Sequence, residues 1–119
     1  MFKEGKSFGQ YPLRLIWVEL EDPAEFSVQF TVSVPKKKFP RAVQRNQLKR
    51  KVREAYRLHK HRLYQQLEED KRYYGWMLLY VAKEAVPYAE IEQSMRRIIP
   101  RFVKMKRKDE RAKGQKLKE

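Results

Sequence analysis

The sequence contains no cysteine and no long apolar stretch. Without a thiol, the chain can form no disulfide, no thiolate metal site and no cysteine nucleophile, which fits a cytoplasmic location. No apolar run approaches the roughly 20 residues that cross a bilayer, and no secretory signal opens the chain. We therefore expect a protein that is neither exported nor inserted into a membrane.

Groups that bind metals or transfer protons are also scarce. The two histidines, His59 and His61, are two residues apart in a predicted helix. They therefore point about 200° away from each other and cannot chelate one ion. Acidic residues 68–70 lie at a predicted helix end, where a solvated cap explains them. We predict no catalytic residue and no metal ligand in the protein, which argues against a protein-only nuclease.

Lysine and arginine, in contrast, are abundant. The 119 residues include 29 Lys and Arg against 15 Asp and Glu, which gives a net charge of +14 and a pI near 10.1. Such a surplus repels itself in the folded state and is stabilised beside a polyanion. Nucleic acid is the first partner to consider, ahead of an anionic membrane surface, and the length suits a single domain.

Three segments have the composition of β-strands. Residues 11–20 are rich in bulky and β-branched side chains and end at turn-forming residues. Residues 26–34 alternate strictly, with two phenylalanines and three valines on one side and polar residues on the other. One sheet face should therefore pack on a core while the other faces solvent or a ligand. Residues 76–82 form a compact apolar run that predicts a buried central strand.

Two segments have helical periodicity. Residues 42–69 contain no proline or glycine, and their inward positions recur at steps of three and four: Leu48, Val52, Ala55, Tyr56, His59 and Leu63. A second helix is predicted from Pro87 or Tyr88, with Pro100 expected to kink or shorten it. Its inward stripe is Ile91, Met95, Ile98 and Phe102. Residues 104–119 are nearly all charged, which predicts a disordered tail after one domain of residues 1–103.

The first helix concentrates positive charge on one side. We call this side the basic ridge, formed by Asn46, Lys49, Arg50, Arg53, Arg57 and Lys60. Guanidinium groups bind phosphate oxygens through two hydrogen bonds, and Asn46 can donate to and accept from a base edge or a sugar hydroxyl. Residues 41–62 contain a single acid, Glu54, so a binding surface explains the ridge better than a solvated helix face. Arg45 falls nearer the apolar side.

Aromatic side chains could stack on unpaired bases wherever they face the ligand. Tyr11, Trp17, Phe26 and Phe30 lie in predicted strands, but the two phenylalanines are in phase with valines and should pack in the core. Phe2 and Phe8 lie outside any strong periodic pattern. They are therefore the better stacking candidates.

Residues 33–57, SVPKKKFPRAVQRNQLKRKVREAYR, resemble the signature of the ribonuclease P protein family. That signature is a strand ending in a basic pair, a loop, then Arg-Asn-Arg-x-x-Lys-Arg and Arg-Glu-Ala-aromatic-Arg. Phe2-x-x-Gly5 resembles the end of the family's first helix, residues 11–13 its first strand, and residues 76–82 its last strand before the closing helix. The resemblance covers nearly the whole chain except the tail.

The resemblance implies an α+β two-layer sandwich of the ribosomal-protein type. It would have a central, mostly antiparallel sheet, a left-handed β-α-β crossover and a long basic helix. The chain would be the RNA-binding protein subunit of ribonuclease P, which assists a catalytic RNA in removing the 5′ leader from precursor tRNA. The RNA and its bound Mg²⁺ would perform the chemistry, and the protein alone would bind no cofactor.

The resemblance also implies which residues contact RNA. By position in the family motif, the contacting set is Arg45, Asn46, Lys49, Arg50 and Arg53, flanked by Lys36 and Lys37. Arg41 and Arg57 extend the same basic surface. The candidates for the cleft that takes the single-stranded leader are Phe2, Phe8 and Tyr11.

Two departures from the family pattern affect these expectations. Gln47 stands where the family usually has its second arginine, which weakens one expected phosphate contact. The chain also starts at the equivalent of the last turn of the family's first helix, so most of that helix and one cleft aromatic are missing from the match. This predicts either weaker leader binding or a start further upstream.

Two alternatives stay open at the level of sequence. A small basic ribosomal protein, or another module that binds structured RNA, would share the charge, the fold class and the tail. Selective binding to ribosomal RNA would favour that alternative. A basic-zipper DNA-binding protein would need three or four heptads, whereas the pattern stops at acidic residues 68–70 and Gly75. We therefore expect no DNA partner.

Overall fold

A computed structural model describes residues 5–21, 27–67 and 72–118, with side chains described as far as residue 108. Phe2, Phe26 and acidic residues 68–70 lie outside these residues. The elements in chain order are β1 (Lys6–Gln10), β2 (Leu13–Leu20), β3 (Val28–Ser33), α1 (Ala42–Leu67), β4 (Tyr73–Tyr80) and α2 (Tyr88–Lys118). In this part of the chain, neither helix has an apolar stretch suited to crossing a bilayer.

The four strands form one mixed sheet in the order β1-β2-β4-β3. β1 pairs antiparallel with β2 and β2 antiparallel with β4, whereas β3 runs parallel to β4. A parallel pair needs a long crossover connection, and α1 is part of it. The predicted α+β class, the central position of the fourth strand and the β-α-β unit are confirmed, while the handedness of the crossover stays an expectation.

Strand β1 is the element that the sequence did not predict. It is a five-residue edge strand in which Phe8 is the only buried side chain, so its periodic signal is weak. Tyr11 and Pro12, joined by a cis peptide bond, form the turn into β2. The strand predicted over residues 11–20 therefore begins two residues later, at Leu13.

Both helices pack on the same face of the sheet. Phe102 of α2 contacts three aromatic rings edge-on. The distances between ring centres are 5.1 Å to Trp17, 5.2 Å to Tyr74 and 5.0 Å to Trp76. Tyr56 of α1 stacks on Phe30 at 4.0 Å. The predicted inward stripes of both helices are confirmed as buried, apart from His59, which is half-buried.

Helix α2 continues further than the sequence predicted. Pro100 does not end it: the proline is exposed, and the buried Ile98, Ile99 and Phe102 hold the helix on both sides of it. The helix also continues to Lys118, where we had expected disorder from residue 104. Met105 packs against the core, and Lys106 is 1% exposed with its Nζ 5.9 Å from the centre of the Tyr74 ring. The packing of α2 on the core therefore persists for another turn, and it covers the whole side chain of Lys106.

Because Phe102 joins three aromatic rings from two strands, we predict that Phe102→Ala lowers the free energy of unfolding by about 3–5 kcal/mol. The matched control is Leu58→Ala on α1, whose side chain is 58% exposed and whose removal should cost less than about 0.5 kcal/mol. Urea denaturation followed by circular dichroism measures both. Equal losses in the two variants would contradict this account of the core.

Candidate nucleic-acid interface

The exposed side of α1 presents the basic ridge as one continuous surface. Asn46, Arg50, Arg53 and Arg57 are exposed, and together with Glu54 they line a shallow groove of about 390 Å³. Steps of three and four residues keep these side chains on one side of a helix. The structure thus brings four predicted RNA-binding residues together, with Lys60 exposed and Lys49 half-buried on the same helix.

Glu54, the one acidic residue of α1, is paired within the ridge. Arg57 Nη2 donates to Glu54 Oε1 at 2.7 Å. This hydrogen bond is the main cause of the raised pKa of Arg57. Among the described residues, Arg50 and Arg53 have no such acidic partner, so their guanidinium groups remain available for phosphate.

Arg45 has a structural role that the sequence did not reveal. Its Nη1 donates to the carbonyl oxygens of Phe39 and Pro40, both at 2.9 Å. Phe39 is buried and contacts Tyr80 edge-on at 5.5 Å, which fixes the end of the loop in the core. Arg45 therefore holds the loop against the start of α1, and its half-buried side chain offers less to RNA than the exposed ridge arginines.

The basic loop before α1 lies at one end of the sheet. Lys36 and Lys37 are exposed in its turn, and Lys38 Nζ donates to the carbonyl oxygen of Val81 at 3.1 Å. Val81 N in turn donates to Pro12 O, which places the β1–β2 turn at the same end. Arg41 is exposed just before α1, whose first turn has no acidic residue. The positive end of the helix dipole therefore adds to the charge of the loop.

The three residues predicted to line the leader cleft differ in position and exposure. Phe8 lies on the helix-covered face, is 6% exposed and has the guanidinium of Arg101 4.4 Å from its ring centre. It is a core residue because β1 is a strand with this face turned inward, so the prediction that Phe8 stacks on RNA is corrected. Tyr11 is 66% exposed in the β1–β2 turn and remains available. Phe2 lies outside the described residues.

The opposite face of the sheet carries the surface that the alternation of residues 26–34 predicted to face solvent or a ligand. We call it the open face; its cross-strand neighbours on β2, β4 and β3 include Arg14, Ile16, Val18, Gln29, Thr31, Met77 and Leu79. Its apolar members are half-buried, whereas the alternate residues of β4 are fully buried. The apolar run at residues 76–82 had suggested burial on both faces. The sequence of β4 is apolar on both of its sides, so it does not show which residues of this strand lie on the open face.

An ion-pair cluster joins α1 to α2. Glu92 Oε1 lies 2.9 Å from His59 Nε2 and accepts a hydrogen bond from Arg96 Nε at 2.7 Å. These contacts, with the His59 bond the largest cause, lower the pKa of the Glu92 carboxyl. His59 is therefore engaged in packing the helices, while His61 is exposed.

Known proteins share both the sequence and the fold of this chain. The sequence matches the Ribonuclease P family over residues 1–103. It is 42% identical over 103 residues to the ribonuclease P protein component of Porphyromonas gingivalis. The aligned residues cover 86% of this chain and 74% of that protein. The chain belongs to the ribonuclease P protein family. The ribonuclease P protein component of a second strain is 41% identical over the same length.

Solved ribonuclease P proteins have the same fold. The protein from Thermotoga maritima superposes with a TM-score of 0.66 at 22% identity, over 84% of this chain and 86% of that one. The Staphylococcus aureus protein gives a TM-score of 0.64 at 21% identity, over 87% and 84% of the two chains. As a ribonuclease P protein, the chain is the RNA-binding subunit of an endoribonuclease that processes tRNA.

The Glu92 cluster generates a pH prediction. Folding lowers the pKa of the Glu92 carboxyl below its ordinary value of 4.5. The ionised carboxylate therefore stabilises the fold at pH values above 4.5, and this stabilisation is lost as the pH falls through the folded-state pKa. Wild type should therefore lose more stability than Glu92→Gln between about pH 6 and about pH 3. Urea denaturation measures the difference. Glu84→Gln, in an exposed loop, is the control and should follow wild type; parallel curves for wild type and Glu92→Gln would contradict the prediction.

Proposed function

We propose that the basic ridge binds the catalytic RNA of ribonuclease P and that this RNA, with its Mg²⁺, performs the cleavage. The exposed arginines of the ridge are the observation that carries the proposal. Two guanidinium groups with no acidic partner among the described residues, Arg50 and Arg53, are one turn apart on a rigid helix. Each guanidinium group can bind one phosphate through two hydrogen bonds. Two such groups one turn apart can therefore contact two phosphates of a folded RNA.

The residues of the protein support an RNA-borne metal. A divalent cation takes oxygen ligands from carboxylates, carbonyls, water and phosphates. The single carboxylate of the ridge is already paired with Arg57, and the surrounding charge is positive. The chain's contribution would be to reduce repulsion between RNA phosphates and to add contacts to the substrate. We expect this to take place in the cytoplasm, where bacterial precursor tRNA is made.

We further propose that the open face binds the 5′ leader of precursor tRNA. Its half-exposed apolar centre, formed by Ile16, Val18, Met77 and Leu79, can contact bases, while Arg14 and the basic loop can contact phosphates. Arg14 is held in place by its Nη2 hydrogen bond to Ser7 Oγ at 2.9 Å. The loop that carries Lys36 and Lys37 connects the end of β3 to the start of α1. One continuous surface can therefore serve the catalytic RNA and the leader.

The first test is cleavage of precursor tRNA by a bacterial ribonuclease P RNA at low Mg²⁺. We predict that Arg50→Ala/Arg53→Ala weakens binding to this RNA by roughly tenfold or more and abolishes the stimulation of cleavage at the mature 5′ end. Arg45 is unsuitable for this test, because its removal would also release the loop.

The matched control removes the same charge from another surface. Arg97→Ala/Lys104→Ala alters two exposed residues of α2 and should stimulate cleavage like wild type. Equal losses in the two double variants would indicate a dependence on net charge alone and would argue against the ridge. Precise cleavage by purified protein without RNA would refute catalysis by the RNA.

The leader makes precursor tRNA bind more tightly than mature tRNA if the open face contacts it. We predict that Met77→Glu lowers the ratio of these two affinities by several-fold, because a carboxylate on the open face repels phosphates. Binding to the reconstituted ribonucleoprotein gives the ratio of the two affinities, and circular dichroism verifies folding. Gln93→Glu, an exposed position on α2, is the control of equal charge. An unchanged ratio in Met77→Glu would place the leader elsewhere.

A further inference from the structure

A second cationic site lies between the two helices, away from the basic ridge. We call it the interhelical groove; it has a volume of about 280 Å³ and is lined by His59, Arg62, Gln66, Arg96, Ile99 and Pro100. Two arginines, one imidazole and one amide therefore surround a small apolar patch. None of these residues belongs to the motif that gave the family resemblance.

The groove and the ridge lie on opposite sides of α1. Arg62 is nine residues after Arg53, and nine steps of about 100° place the two side chains about 180° apart around the helix. Both arginines are exposed. A single RNA phosphate therefore cannot contact both, so a phosphate bound in the groove would be distinct from one bound at the ridge.

Arg96 is positioned for binding by its neighbours. Its Nε donates to Glu92 Oε1 at 2.7 Å, and the same oxygen lies 2.9 Å from His59 Nε2. The Glu92 side chain is only 18% exposed, whereas Arg96 is 59% exposed. The guanidinium is thus anchored through Nε, and its two Nη nitrogens have no hydrogen-bond acceptor among the described residues. Holding an arginine in place before binding reduces the entropy lost when a phosphate is bound.

The net charge of the site favours an anion. Arg62 has no acidic partner in the part of the chain that the structure describes. Glu92 neutralises one charge at the groove, but the sequence has no acid in residues 55–67 of α1 or in residues 93–108 of α2. Two guanidinium groups against one carboxylate leave a positive balance, and the exposed apolar floor of Pro100 beside Ile99 suits the sugar next to a phosphate better than a free ion.

We propose that the interhelical groove binds a phosphodiester of a second RNA segment, so that the protein holds RNA on two opposite sides of α1. The assignment to RNA rests on the proposed function; the phosphate chemistry of the groove does not. Arg62 and Arg96 bind the phosphate oxygens, Gln66 offers a further hydrogen bond, and Glu92, which also contacts His59, positions Arg96.

The first arm of the test uses inorganic phosphate and the full chain, without any RNA. We expect the ring signals of His59 in the NMR spectrum to shift in a saturable manner, while those of the exposed His61, two residues away, serve as the internal control and shift little. The His59 shift should disappear in Arg62→Ala/Arg96→Ala. Equal shifts at both histidines, or none at His59, would overturn the site.

The second arm measures affinity for ribonuclease P RNA as a function of salt. Loss of one phosphate contact should weaken binding by roughly tenfold and lower the slope of log K against log salt by about one. We expect both effects in Arg62→Ala/Arg96→Ala and neither in the charge-matched control Arg97→Ala/Lys104→Ala. Wild-type affinity in the groove variant, with binding still lost in Arg50→Ala/Arg53→Ala, would overturn the second RNA site and leave the proposed function intact.

Discussion

The packing of both helices on one face of the sheet is the constraint on which the other surfaces depend. Phe102 of α2 inserts among aromatic rings of β2 and β4, and Tyr56 of α1 stacks on Phe30 of β3. Large apolar areas are buried at these contacts, and aromatic pairs add to that gain. Because two helices share one face, neither covers the other face. The same arrangement turns the charged side of α1 towards solvent. The packing of the helices therefore leaves two surfaces accessible to ligands, the open face and the basic ridge.

Three acidic side chains of the described residues pair with nearby basic side chains. Glu54 pairs with Arg57 on the ridge, Glu92 joins His59 and Arg96 between the helices, and Glu19 pairs with Arg72 at the end of the sheet. The exposed Glu54–Arg57 pair contributes little to stability, whereas His59 and Glu92 are largely shielded from solvent. The effect of the three acidic residues is to orient particular arginines while a net charge of +14 remains. The self-repulsion of that charge opposes folding, and a polyanion relieves it.

Sequence periodicity predicted the parts of the fold in which one face is buried. The buried stripes of α1 and α2 were predicted correctly because residues three and four apart share a helix face. Strand β3 was predicted correctly because alternate residues share a strand face. β1 was missed because one buried phenylalanine in five residues makes no pattern, and Phe8 was misassigned for the same reason. The alternation of residues 26–34 predicted the part of the open face on β3, whereas the role of Arg45 and the part of the open face on β2 and β4 depend on contacts across the loop and the sheet, which no local pattern encodes. The extent of α2 was underestimated because the charged residues after position 103 were taken as solvated, whereas Lys106 is buried.

The position of the parallel strand pair in the chain has a consequence for biosynthesis. β3 pairs with β4, and the whole of α1 is made between them. During translation the cationic helix leaves the ribosome before the strand that completes the sheet and before the helix that carries Phe102. Isolated helices are marginal in water without a packing partner, and domains generally fold as units. The ordered arginine surface of α1 can therefore form only after β4 and α2 have been synthesised, so the part of the chain from β4 onwards is required before the first helix can present its side chains in a fixed arrangement.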